Sequence, residues 1–152
     1  MANILGDNLL VYIDGVTPAA GDLVLCSTSC TLNLEQATVE SSCKDGEGTK
    51  WSTAIPGTAS WSISTDGLYN PVLAAPSFDE LASKIITDAD GGAANSVSIV
   101  FEVSGQVNPD IEYYTGTAIL TSCSLNGPTG EFATYSAEFK GVGALTQSVK
   151  AA

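Results

Sequence analysis

Few side chains in this sequence can do chemistry. It contains no histidine, which excludes a Ser-His triad, an imidazole base and an imidazole metal ligand. All five basic residues are lysines, so no guanidinium fork is available to clamp phosphate. Carboxylates and thiols remain. Glu102 with Glu112 is the kind of pair that hydrolyses glycosides, but each sits in a strand-like run where a carboxylate ordinarily marks the solvated face. Cys26, Cys30, Cys43 and Cys123 lack the paired C-x2-C knuckles of a four-cysteine zinc site. An extended chain would hold Cys26 and Cys30 roughly 13 Å apart, beyond the ~7 Å that a disulfide spans, so the four read as free thiols packed as small hydrophobes. Asp88-x-Asp90 opens like a calcium loop but lacks the later ligands, and Gly91-Gly92 makes it a helix stop. The expectation is a protein that is not an enzyme and holds no cofactor or metal.

Seventeen carboxylates against five lysines give a net charge of −12. Such a surface repels a phosphate backbone, which argues against reading or wrapping nucleic acid. With 44% hydrophobic and only 14% charged residues, 152 residues suffice for a single domain, 1–152, with a real core. No basic residue precedes Lys44, and the apolar run from Leu9 to Ile13 is too short to cross a bilayer. The expectation is a soluble protein made in the cytoplasm, without a membrane partner.

The elements that position these residues are mostly strands. From Thr58 to Asp66, Ala59, Trp61, Ile63 and Thr65 alternate with polar residues, which puts Trp61 and Ile63 inward on a half-buried strand. Pro56-Gly57 and Asp66-Gly67 punctuate its ends. Further strands are expected at Leu9–Ile13, 22–27, 30–41, 96–104, 111–125 and 132–140. In 30–41 the apolar parity switches between Leu34 and Ala37, which predicts a bulge near Glu35-Gln36. Gly116 predicts a bend in 111–125. Phe78, Leu81, Ala82, Ile85, Ile86 and Ala89 recur at helical spacing, and Ser77 with Glu80 forms a capping box before them. Residues 1–8 and 144–152 read as mobile termini. Strands, one isolated helix, then strands again do not make a βαβ protein. The fold class is all-β with one flanking α-helix, an antiparallel β-sandwich or partly closed barrel.

Residues 29–69, SCTLNLEQATVESSCKDGEGTKWSTAIPGTASWSISTDGLY, resemble the signature region of the major tail (tail tube) proteins of long-tailed bacteriophages. Thr31-Leu32, Leu34, Glu40, Lys44-Asp45, Trp51, Pro56-Gly57 and Ser60 to Leu68 match in order, and Tyr135 to Gly143 resembles the closing segment. The likeness spans most of 9–143. It implies a structural virion protein of the tail, assembled in the bacterial cytoplasm. Its subunits would form stacked rings, typically of six, around a bore through which DNA passes without specific binding. It also implies partners: other copies of the chain, and the tail terminator, tape measure and tail tip proteins. The long loop 43–56, with Lys44, Asp45, Gly46, Glu47, Gly48, Thr49 and Lys50 at its centre, would contact neighbouring subunits. Carboxylates on polar strand faces would line the bore, with Glu102, Glu112 and Glu138 as candidates. Alternatives are the inner tube of a contractile injection machine, a capsid decoration protein, and a sandwich-type adhesin.

Overall fold

The computed structural model describes residues 9–13, 22–23, 27–41, 53–69, 78–92, 95–103 and 111–150. Lys44–Lys50, Ser77, Cys26 and Cys43 lie outside them. The elements run β1 (Leu9–Ile13), β2 (Asp22–Leu23), β3 (Ser27–Ser41), β4 (Thr53–Leu68), α1 (Phe78–Ala89), β5 (Val97–Val103), β6 (Ile111–Asn126) and β7 (Thr134–Lys150). All seven strands belong to one antiparallel sheet in the order β2-β1-β5-β6-β7-β4-β3. The sheet curls without closing, and its two ends approach where the Cys30 thiol of β3 donates to the Leu9 carbonyl of β1 at 3.3 Å. A partly closed barrel with one helix is therefore the form the expected fold takes.

The inner face of this curl is the core. Trp61 and Ile63 of β4, Ile99 and Phe101 of β5, Ala118 and Leu120 of β6, and Tyr135, Ala137 and Phe139 of β7 are all buried there. The alternation that pointed Trp61 and Ile63 inward is obeyed. Leu81 of α1 is fully buried in the same cluster, with Phe78 and Ile85 packed against it. The apolar stripe is narrower than its sequence suggests, since Ile86 is exposed. Truncating Leu81 to Ala should cost about 2–5 kcal/mol through lost burial and a residual cavity, measured by urea unfolding; an unchanged midpoint would place that face outside the core. The helix ends in a Schellman motif. Gly92 N–H donates to the Thr87 carbonyl at 2.8 Å, Gly91 N–H to that of Asp88 at 3.0 Å, and Gly91 adopts φ 80°. Asp88-x-Asp90 thus serves a helix stop, as expected.

Several strands depart from their expected bounds. Pro56-Gly57 and Asp66-Gly67 lie within β4 rather than at its ends. Proline is tolerated there because β4 pairs with β7 only from Ser62 to Leu68, leaving one edge free around Pro56. The register shift falls between Gln36 and Thr38 of β3, close to the predicted bulge, but the extra residue is on β4, where Ala59 and Pro56 are the successive partners. Gly116 stands at a register irregularity of β6, between Thr115 and Thr117, as its glycine predicted, and a Cβ there would stand 2.6 Å from the Trp61 ring. A second irregularity lies between Leu120 and Ser122. Residues 144–150, expected as a loose tail, continue β7 and pair with β6 out to Ile111↔Lys150.

Candidate assembly and lumen surfaces

Among the described residues, two surfaces of the subunit have no partner within it. The first is a hairpin arm. Beyond Trp61, β3 and β4 pair only with each other, from Leu34↔Trp61 to Ser41↔Thr53. Leu34, Val39 and Ile55 are 60%, 58% and 54% exposed, and Val39 and Ile55 face each other across the arm. Apolar side chains on a two-stranded projection with free edges are an association surface that a lone protein avoids. The segment joining Ser41 to Thr53 holds the sequence-predicted contact residues Lys44–Lys50, outside the described residues.

The second is the outer face of β3, β4, β7 and β6. Because Trp61, Ile63, Ala137 and Phe139 turn inward, the residues between them turn outward in cross-strand rows. Asn33, Ser62 and Lys140 are linked by register, as are Thr31, Ser64, Glu138 and Ser122. The Ser122 hydroxyl lies 3.5 Å from Glu138 Oε2, and Ser124 and Ser136 share a hydrogen bond at 2.6 Å. Glu35, Asp66 and Glu138 are the carboxylates of this wall and Lys140 its cation, three against one, so it carries −2. Short hydroxyl side chains make it smooth as well as acidic.

Of the three carboxylates predicted to line a bore, only Glu138 stands on this wall. Glu102 is 5% exposed, and its Oε2 lacks a hydrogen-bond donor. Its strand, β5, lies between β1 and β6, and Val100 beside it is also buried, so both faces of this strand are covered. Glu112 faces the same way as Tyr114, whose hydroxyl donates to it at 3.2 Å; the Gln147 side-chain amide donates to the same oxygen. Glu102 and Glu112 therefore occupy opposite faces of the sheet, and their strands pair Glu102 with Tyr113 and Glu112 with Val103. An acid–base pair converging on one substrate would need them on one face.

Burial, then a hydrogen bond to Glu102 and its charge, pushes the Tyr12 hydroxyl up to about 12. An unfolded tyrosine ionises near 10. The folded chain thus holds a proton that the unfolded chain releases, and the stability this contributes is intact below pH ~10 and lost as pH climbs from about 10 toward about 12. Tyr12→Phe should flatten the alkaline fall in unfolding free energy; an identical slope in the variant would contradict the pairing. Tyr114, also pushed up by burial and by Glu112, supplies part of what remains. Cys30 and Cys123 are free thiols, half-buried, and burial raises both. Among the described residues no group of three or more Cys, Asp or Glu could hold a metal ion, and no helix is long and apolar enough to cross a membrane.

An open all-β subunit with a projecting apolar arm and a polar wall is built for association with its own kind. Its family is that of the phage tail tube protein, to which residues 4–147 match and to which the chain belongs. It is a structural protein of the virion tail, a tube-forming subunit, as the resemblance implied. No curated protein matches the sequence. Among solved structures, the fold is similar to the tail of an empty gene transfer agent particle refined with helical and C6 symmetry (TM-score 0.68, 19% identity, 96% of this chain and 99% of that one). It is also similar to the SPP1 tail tube (TM-score 0.66, 14% identity, 99% and 81%). A third neighbour is the anti-feeding prophage baseplate (TM-score 0.62, 8% identity, 97% of both chains).

Proposed function

We propose that six copies of this chain form a ring, that rings stack into a hollow tube, and that the acidic, serine-rich wall of β3, β4, β7 and β6 lines the bore through which DNA travels. The observation that carries this reading is the sorting of side chains on four long strands. Large apolar groups fill the inner face of the curl, while Ser62, Ser64, Ser122, Ser136 and Glu138 occupy the other. A wall of hydroxyls and carboxylates offers DNA no cation cluster to hold it. Six-fold rings accord with the C6 symmetry of the similar gene transfer agent tail. The free edges of the arm and of β3 supply strands that neighbouring copies would complete, removing edges that a monomer must otherwise protect. Glu138 keeps its bore-facing role in this reading, and the Lys44–Lys50 segment its role in subunit contact. The tail terminator, tape measure and tail tip proteins remain the expected partners at the tube's ends and interior. No step requires a catalytic group.

Negative-stain electron microscopy of the concentrated protein tests the reading. Hollow tubes of uniform width are expected; a persistent monomer that binds glycans would instead favour an adhesin. The likeness to the anti-feeding prophage component keeps the inner tube of a contractile machine as the second reading.

A further inference from the structure

The sheet forks at one residue. β4 and β7 are paired from Leu68↔Thr134 to Ser62↔Lys140, and Trp61 with Gly141 would be the next pair. Among the described residues, β4 is paired only with β3 from there back to Thr53, and β7 only with β6 out to Lys150. A bulge on β7 marks the fork. Val142 pairs with Thr117 and Thr146 with Thr115, so residues 143–145 stand opposite Gly116 alone. Gly143 takes φ 78° there, a conformation glycine adopts readily, and its carbonyl accepts the Trp61 indole N–H at 3.1 Å. The ring reaches that carbonyl by lying over Gly141 and Gly116, neither of which has a side chain to obstruct it.

One side-chain hydrogen bond therefore stands where the β4–β7 ladder stops, and the arm beyond it is a lever. Residues 53–61 of β4 span roughly 26 Å at about 3.3 Å per residue, so a tilt of about 10° at Trp61 carries the tip about 5 Å. That is farther than the ~4 Å reach of an apolar contact. Val39 and Ile55, the exposed apolar pair of the arm, meet a neighbouring copy in register only if the base of the arm is held.

We infer that Trp61 is the joint that sets the direction of the β3–β4 arm: its indole, tied to Gly143, holds the arm in place before a neighbouring copy arrives, so that assembly does not have to order it. The identity of the neighbour rests on the tube reading, whereas the joint is a property of the single subunit. Trp61 is a positioning residue in this role, beyond its place in the core.

Spin labels carried on unnatural amino acids at Val39 and Val149, both exposed, read the angle between the arm and the end of β7 and leave the native cysteines alone. Below its assembly concentration the unaltered subunit should give one narrow distance distribution. Trp61→Phe, which keeps a buried ring but loses the N–H, should broaden it and raise the critical concentration for tube assembly roughly tenfold. Gly143→Ala should do the same without touching the ring, because its Cβ has open space but its φ is strained for alanine. It decides the matter if Trp61→Phe does not fold. Leu81→Ala weakens the core through α1 and should leave the distribution narrow. An unbroadened distribution in either folded fork variant, equal broadening in Leu81→Ala, or tubes forming from the fork variants at the unaltered concentration would overturn the joint. If the unaltered protein forms no tubes, the tube reading falls and the distance distributions still decide the joint.

Discussion

Gly141→Val is expected to destabilise the subunit by about 3 kcal/mol or more, at or beyond the upper end of typical overpacking costs. Trp61 lies across β7 so closely that a Cβ at position 141 would sit 2.1 Å from the ring's Cε2, and one at Gly116 would sit 2.6 Å from its Cζ2. The ring has little room to yield, because its Nε1 donates to the Gly143 carbonyl at 3.1 Å, where β7 bulges with φ 78°. The two glycines together make the floor on which a buried tryptophan can lie between three strands. Gly127, with nothing near its Cβ position and no positive φ, is the control: Gly127→Ala should stay within about 0.5 kcal/mol. Adding Trp61→Ala to Gly141→Val should cost less than the sum of the two single changes, because the clash disappears with the ring. Strict additivity in urea unfolding would show that the glycine and the ring do not meet.

The second large effect concerns DNA. Tubes of Glu138→Lys should retain duplex DNA that unaltered tubes release, with an affinity that falls steeply as salt rises. The change takes the wall from −2 to 0 in each subunit and places a second ammonium beside Lys140, which in the proposed tube would make a column repeated around and along the bore. Screening limits each charge to about 8 Å at physiological ionic strength, so the effect depends on lysines standing in register rather than on total charge. Glu40→Lys, on the arm, makes the same change in net charge away from the wall and should leave DNA passage unaltered. Equal DNA retention by both variants would reduce the effect to overall charge.

How much of this was legible in the sequence depends on how local each cause is. The inward set of β4, the α1 stripe and the glycine stop at its end follow from period and capping, and the structure keeps them except that Ile86 and Ala89 fall outside the buried stripe. Glu102 did not read correctly, because alternation with Phe101 and Val103 looks like one open face. That face is nonetheless closed, with Val100 and Glu102 both buried and Tyr12 of β1 hydrogen-bonded to Glu102, a long-range fact. Gly116 and Gly141 likewise gave no sign of Trp61: their role appears only when β4 is laid beside β7 and β7 beside β6. Residues 144–150 looked like a fading tail because their apolar content is low, yet pairing with β6 holds them as strand. The outward orientation of Glu138 was legible because its neighbours Ala137 and Phe139 are core residues of a regular strand.

A cryo-electron microscopy map of the assembled protein tests the account most directly. The account predicts a hollow six-fold tube whose inner wall carries Ser62, Ser64, Glu138 and Lys140 and whose Trp61 and Phe139 are sealed within the subunit. A tube with those polar residues on its outer surface, or a concentrated protein that forms no tube, would contradict it.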